Sequence, residues 1–286
     1  MMYSFFVSDL HGSINRYEKL FNIIINEKPE SVFIGGDILP SYSFKNSSQT
    51  DFNDFVNDYL IKKLLSIKEE MKNEYPDIFI ILGNDDLKTE EVDLIKASES
   101  GILNYISCKK IELKGFKIYG YSYVPPSPFL LKDWEKYDVS RYVDTGCVSP
   151  EEGYRSVKVE DSEMKYSTIK NDLNVLTKDE DLSSTIFLFH TPPYKTNLDR
   201  VANDGKFIEH VPLDLYAGSI AIKRFIEERQ PLLTLHGHIH ESTRLTGSWK
   251  DKIGDTYCFN ASHDGPELSL IKFNTNNIED AVRVLI

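Results

Sequence analysis

The six residues Leu235 to His240, reading LHGHIH, constrain this chain more than any other stretch. Three of the seven histidines fall within five positions, directly after the apolar run Pro231 to Leu235, which reads as a buried strand. The histidines therefore stand at a strand exit. Gly237 permits a tight turn there, and His238 and His240 can aim at one point only if the chain has left the regular pleat. Imidazole is the commonest metal ligand, so histidines converging on a rigid strand end suggest a metal site. The same residues also read as a solvated loop, and only the rest of the chain can decide between the two.

The same grammar recurs upstream. A strand over Tyr3 to Val7 runs into Asp9 and His11 before a helical pattern from Ile14 to Asn26. A strand over Ser31 to Ile34 exits through Gly35, Gly36 and Asp37, and one over Ile78 to Leu82 exits through Gly83, Asn84, Asp85 and Asp86. His190 follows the buried run Thr185 to Phe189. Sites in open α/β sheets form at the carboxyl ends of strands, and adjacent carboxylates there repel one another unless a cation is near. Each motif taken alone has a plainer reading, with Asp9 or Ser8 capping the first helix and the acids after Asn84 closing a turn.

Between these motifs the spacing predicts helices over Phe52 to Asn73, Ser162 to Leu176 and Ser219 to Glu228. Strands Tyr105 to Leu113 and Phe116 to Tyr123 are expected to form an antiparallel hairpin through Lys114 and Gly115. Three more, Thr256 to Phe259, Glu267 to Phe273 and Ala281 to Leu285, close the domain. Pro40 to Asp51 reads as a polar, turn-rich loop. The stretch 126–215 is too long for an ordinary connection and reads as a cap or insertion within one domain spanning 1–286. Tyr194 or Arg200 in it is expected to roof the site and touch substrate, and Arg141 and Arg155 are weaker candidates for phosphate contact against a plain role in surface ion pairs.

A net charge of −12 opposes a long-range pull on nucleic acid, and no clustered basic stripe is present. Cys108, Cys147 and Cys258 are isolated and read as inert core thiols in a reducing compartment. The first residues lack a basic and apolar signal pattern, and no stretch approaches the roughly 20 apolar residues of a membrane span. A cytoplasmic protein, away from membranes and nucleic acid, is the expectation.

Asp9-Leu10-His11, Gly36-Asp37, Gly83-Asn84, His190 and Gly237-His238-Ile239-His240, in that order and each at a strand end, resemble the calcineurin-like metallophosphoesterase family. The resemblance implies a four-layered α/β sandwich with mixed sheets and a two-metal centre. By the family pattern Asp9, His11, Asp37 and His240 hold one ion. Asp37, Asn84, His190 and His238 hold the other, with Asp37 bridging. Asn260-Ala261-Ser262 is similar to the family's closing loop. The implied activity is phosphoester hydrolysis by a hydroxide shared between the ions, with phosphodiesters slightly favoured over monoesters and Asp37, Asn84 and Asp85 at the reacting centre. The mixed oxygen and nitrogen donors suit manganese, iron or zinc better than calcium.

One position departs from the pattern. The family follows Gly-Asn with a histidine that contacts phosphate and assists the leaving group, whereas this chain has Asp85. His236, His210 and His263 are the candidates to replace it. The departure leaves two other readings open: a metal-binding member of the fold with little turnover, and a nuclease.

Overall fold

Alternation of side chains along short apolar strands, two-sided because helices cover one face of each sheet, sets the layers of this molecule. The computed structural model describes residues 2–41, 52 and 54–286. The strands are β1 (Tyr3–Val7), β2 (Ser31–Gly35), β3 (Asp77–Ile81), β4 (Asn104–Tyr105), β5 (Lys109–Leu113), β6 (Phe116–Tyr121) and β7 (Thr185–Phe189). They continue with β8 (Phe207–Ile208), β9 (Val211–Pro212), β10 (Leu233–His236), β11 (Lys250–Ile253), β12 (Thr256–Asn260), β13 (Ser269–Asn274) and β14 (Asn277–Leu285). One six-stranded sheet runs β14-β13-β1-β2-β3-β4 and the other β11-β12-β10-β7-β6-β5. β1 to β4 are parallel to one another, as are β6, β7, β10 and β12, and antiparallel strands finish three of the four edges.

Phe6, Phe33, Phe79 and Ile81 of the first sheet meet Ile118, Ile186, Leu188, Leu235 and Phe259 of the second in one buried layer between the sheets. The residues next to them in sequence point outward. Phe5, Val7, Val32 and Ile34 pack under α1 (Ile14–Glu27) through Tyr17, Leu20, Phe21 and Ile24, and Phe187 meets Phe225 of a later helix edge-on at 5.1 Å. Burying each such side chain stabilises the fold by roughly 1.5 to 3 kcal/mol relative to exposure, which locks the register that sets the strand ends. The result is helix, sheet, sheet, helix: the four-layered mixed α/β sandwich.

Three sequence boundaries are corrected. The run Tyr105 to Leu113 is two strands in different sheets. The Ile106 N–H still reaches Ile80 O of the first sheet at 3.0 Å, and two residues later Cys108, at φ +53°, places its N–H 2.9 Å from Gly120 O of the second. The helix expected over Ser162 to Leu176 breaks into two, Asp161–Tyr166 and Ile169–Thr177. Thr168 takes an extended backbone and its hydroxyl accepts from Asn171 N as a new N-cap, ending one helix to start another. The helix expected from Phe52 opens as a wide π-helical turn over Val56–Ile61 before its α-helical part, Lys62–Met71. The loop expected over Pro40 to Asp51 falls outside the described residues beyond position 41. β11 and the early half of β14 carry too few apolar residues to have been expected. Of the thiols only Cys258 is buried; Cys108 is exposed and Cys147 half-buried. No helix among the described residues is long and apolar enough to cross a membrane.

Candidate metal centre

The first sheet delivers Asp9 and His11 after β1, Asp37 after β2 and Asn84 after β3 to its carboxyl edge, and β7 and β10 deliver His190, His238 and His240 to the matching edge of the second. To aim side chains at one point the backbone leaves the pleat. Asp9 (φ +56°), His11 (+45°), Asp37 (+49°) and His238 (+72°) all adopt the left-handed region that L-residues avoid. Such strain costs on the order of 1 to 3 kcal/mol per residue and persists where the surroundings over-determine it. Gly83 shows how tight those surroundings are: a Cβ there would lie 2.4 Å from Asp37 Oδ1 and 2.6 Å from His190 Cε1.

Two clusters result. Donor atoms of Asp9, His11, Asp37 and His240 lie within 4.8 Å of one another, and so do those of Asp37, His190 and His238; Asp37 belongs to both. His190 Nε2 sits 3.3 Å from Asp37 Oδ2 and 3.0 Å from Asn84 Oδ1, while Nδ1 hydrogen-bonds Gly35 O at 2.8 Å, which fixes the ring's orientation. His240 Nε2 lies 3.2 Å from both Asp9 Oδ1 and His11 Nε2. The structure thus brings together all seven side chains named from the sequence, in two groups whose donor types could hold divalent cations.

Three supports were not named for these roles. The Ser262 hydroxyl, in the closing loop after β12, donates to Asp9 Oδ2, and Arg16 on α1 donates to Asp9 O at 2.7 Å and to Gly265 O. Asp86 is fully buried and accepts from Ile38 N (3.1 Å), Gly83 N (2.9 Å) and Leu39 N (2.8 Å), so it staples the Asp37 turn to the Asn84 turn. Its carboxylate looks inward at the backbone, away from the two clusters.

Burial alone would raise the Asp9 and Asp37 carboxyls, but the imidazoles around them prevail. Asp9 is held well below the usual carboxylate range by His240, and Asp37 is held at about 2 chiefly by His190 and His11. Burial would lower His11 and His190, and the carboxylates instead lift both to about 9. His238 goes the other way, to about 3, through burial and the neighbouring His190. Asp86 is pushed up to about 7 by burial and by Asp37, against its three N–H donors.

Asp85 lies beside the clusters in neither set. Its N–H donates to Asp37 Oδ1 at 2.8 Å, and its carboxylate sits 3.2 Å from His11 Nδ1, the ring nitrogen turned away from the cluster, with Ser41 donating to the same oxygen. None of the proposed substitute histidines reaches this place. His236 is buried between Thr191 O and Thr234 Oγ1 and stacks on Phe189; His263 pairs with Glu267; His210 sits in the exposed turn between β8 and β9.

The clusters open into a cleft of about 680 Å³ whose lining includes His11, Asp37, Asn84, Asp85, His238 and His240 on one side and Pro128 to Leu131 with Tyr154 on the other. Part of the stretch 126–215 therefore faces the centre, but Tyr194 and Arg200 do not line the cleft. Tyr194 bonds Asp214 at 2.6 Å, and Arg200 turns back on Val201 O, Leu215 O and Asp204. Arg141 pairs with Glu151, and Arg155 bonds the carbonyls of Pro150 and Glu135.

The sequence pattern of calcineurin-like phosphoesterases matches residues 2–242. No curated protein matches the chain by sequence. Among solved structures, a protein of Thermus thermophilus shares 13% identity over 99% of this chain and 98% of its own, with a TM-score of 0.56. A dimetal phosphatase from Danio rerio shares 10% over 95% of each chain, with a TM-score of 0.52. At these identities the likeness is one of fold. The ordered strand-end motifs, the sandwich that carries them and a family match spanning most of the chain place this protein in the calcineurin-like phosphoesterase family of metal-dependent hydrolases.

Proposed function

We propose that this protein hydrolyses small phosphoesters, diesters slightly ahead of monoesters, with two manganese, iron or zinc ions held by Asp9, His11, Asp37, Asn84, His190, His238 and His240. The observation that carries the reading is the sharing of Asp37 by two Asp/His clusters in the wall of one open cleft. Ions bound there would supply Lewis acidity and bring the pKa of water towards neutrality. The chain's own groups prepare for them. Asp9 and Asp37 stay ionised at neutral pH, the Gly35 carbonyl turns His190 Nε2 towards Asn84 and Asp37, and Asp85 takes the outer nitrogen of His11 so that Nε2 faces the cluster.

In this reading Asp85 braces His11 instead of protonating a leaving group. Without the imidazole of the family pattern the leaving group loses general-acid help, which is typically worth about a hundredfold to ten-thousandfold. Esters with acidic leaving groups need little of it, so they should be the better substrates. A nuclease is disfavoured because, among the described residues, no Lys or Arg lines the cleft. We assign the chain to the cytoplasm as one domain with its cap inside 126–215, on the grounds of three unpaired cysteines and a core continuous around both sheets.

The test is metal content and turnover together, on protein purified with manganese supplied. Two ions per chain with hydrolysis of bis(p-nitrophenyl) phosphate is expected. One ion or none overturns the two-metal assignment. Two ions without turnover favours the second reading, a metal-binding member with little activity, which the loss of the family histidine at position 85 also supports.

A further inference from the structure

The wall of the cleft opposite the metal clusters is built differently from its floor. Phe129 and Leu130 are 60% and 57% exposed, and with Leu131 and Tyr154 they form an apolar shelf in the same cleft as His11, Asp37 and Asn84. Exposed apolar side chains on a loose loop would mean little. Here the backbone beneath them is fixed. Ser127 is held through its N–H and hydroxyl by Glu135, which forms a fully buried pair with Lys132 at 2.6 Å. The Ser127 hydroxyl in turn receives Phe129 N at 3.1 Å, Leu130 O receives Tyr154 N at 2.8 Å, and Tyr154 O receives Lys132 N at 2.8 Å. Gly153 closes the crossing, since a Cβ there would lie 2.3 Å from Leu130 O. A buried ion pair leaves little net stability but holds geometry, and it holds this shelf beside the metal centre.

Charge points the same way. Outside the proposed ligands, the carboxyl side chains that line the cleft among the described residues are those of Asp85 and Glu241, and no Lys or Arg lines it. A substrate with negative charge beyond its reacting phosphate would meet like charges there, with no described cation to offset them.

We infer that this cleft selects phosphodiesters carrying a single negative charge and an apolar, preferably aromatic, ester group, which seats on Phe129, Leu130 and Tyr154 while the phosphate faces the metal ligands. The inference rests on the hydrolytic reading above and adds the substrate class to it. An apolar group of phenyl size buried against such a shelf is worth about one order of magnitude in binding.

The experiment uses the full chain loaded with manganese and two diesters with one leaving group, methyl p-nitrophenyl phosphate and phenyl p-nitrophenyl phosphate. The expected kcat/KM ratio, phenyl over methyl, is about tenfold for wild type. It should fall below about threefold in the double variant Phe129→Ala, Leu130→Ala, whose exposed side chains are dispensable for folding; circular dichroism and metal content verify that. A wild-type ratio near one, or an undiminished ratio in the variant, overturns the inference. If neither ester turns over, the hydrolytic reading has failed and binding decides the shelf by itself. Diphenyl phosphate bound about tenfold more tightly than dimethyl phosphate, with the preference lost in the variant, supports it, and equal affinities overturn it.

Discussion

Removing the Asp86 carboxylate tests how the centre is held. Its two oxygens satisfy three backbone N–H groups, of Ile38, Leu39 and Gly83, in a place with no exposure. A buried donor left without a partner costs about 1 to 3 kcal/mol, so three orphans in Asp86→Ala set the scale at roughly 3 to 9 kcal/mol. A water entering the vacated space would recover part of this, which brings the expected loss to about 3 to 5 kcal/mol, a large share of a typical domain's 5 to 15. Urea unfolding of the metal-stripped protein, followed by circular dichroism, measures the difference. Asp85→Ala is the control: its side chain is 32% exposed and its loss should cost less than about 1 kcal/mol without metal. The two acids are neighbours in sequence, and only the one facing inward should matter for the fold. If Asp86→Ala unfolds within 1 kcal/mol of wild type, the stapling role is wrong. Asp86 also makes a pH prediction. Its folded pKa of about 7 lies above that of a free Asp, so the bound proton stabilises the fold fully below about pH 4, and this contribution is lost as pH rises towards 7. Asp86→Asn has nothing to titrate, so wild type should lose stability relative to it across that window; a difference that stays constant with pH would count against the shift.

Four further outcomes are expected. Asp37→Ala should lose more metal by elemental analysis than Asn84→Ala, because Asp37 serves both clusters, and equal losses would argue against sharing. Because the carboxylates around them lift His11 and His190 to about 9, protons must leave these rings when metal binds at pH 7, so calorimetry in buffers of different ionisation enthalpy should detect net proton release on loading that shrinks as pH rises past 9. Asp85→Ala should weaken metal binding about 10 to 100-fold by freeing the His11 ring, while Asp85→His, if metallated, should raise alkyl ester hydrolysis more than aryl; an unchanged aryl-to-alkyl ratio would remove the leaving-group argument. Gly83→Ala should abolish metal binding outright, since its Cβ collides with both Asp37 and His190, and a variant with normal metal content would contradict the packing.

The clustered side chains were legible because each follows an apolar run, and the end of such a run is a place that sequence can locate. His236 was also readable in principle: it shares a strand face with Thr234, two residues earlier, and its ring bonds that hydroxyl instead of turning with His238. Asp86 was harder. Adjacent Asp85 and Asp86 look alike in sequence, and only the three-dimensional proximity of the Asp37 turn decides which one is buried. Tyr194 and Arg200 lie in an aperiodic loop whose path is set by Asp199, whose carboxylate gathers the N–H groups of Lys195, Thr196 and Gly218, and nothing local encodes that. The break at Cys108 was hidden for a related reason: Ile111 and Leu113 read as continuing the run that Tyr105 and Ile106 begin, although Cys108 to Lys110 between them are exposed.

The pairing of β13 beside β1 sets an order on the making of this protein. Every proposed metal ligand has been synthesised by residue 240, yet the strand that covers the open edge of β1 begins only at Ser269. During translation the chain therefore holds all the proposed ligands while β1, the strand that leads into Asp9, still presents unpaired N–H and C=O groups to its surroundings. Metal arriving in that interval would meet a proposed centre whose first wall is unsupported, and the hairpin of β13 and β14 is the piece that pairs with that open edge.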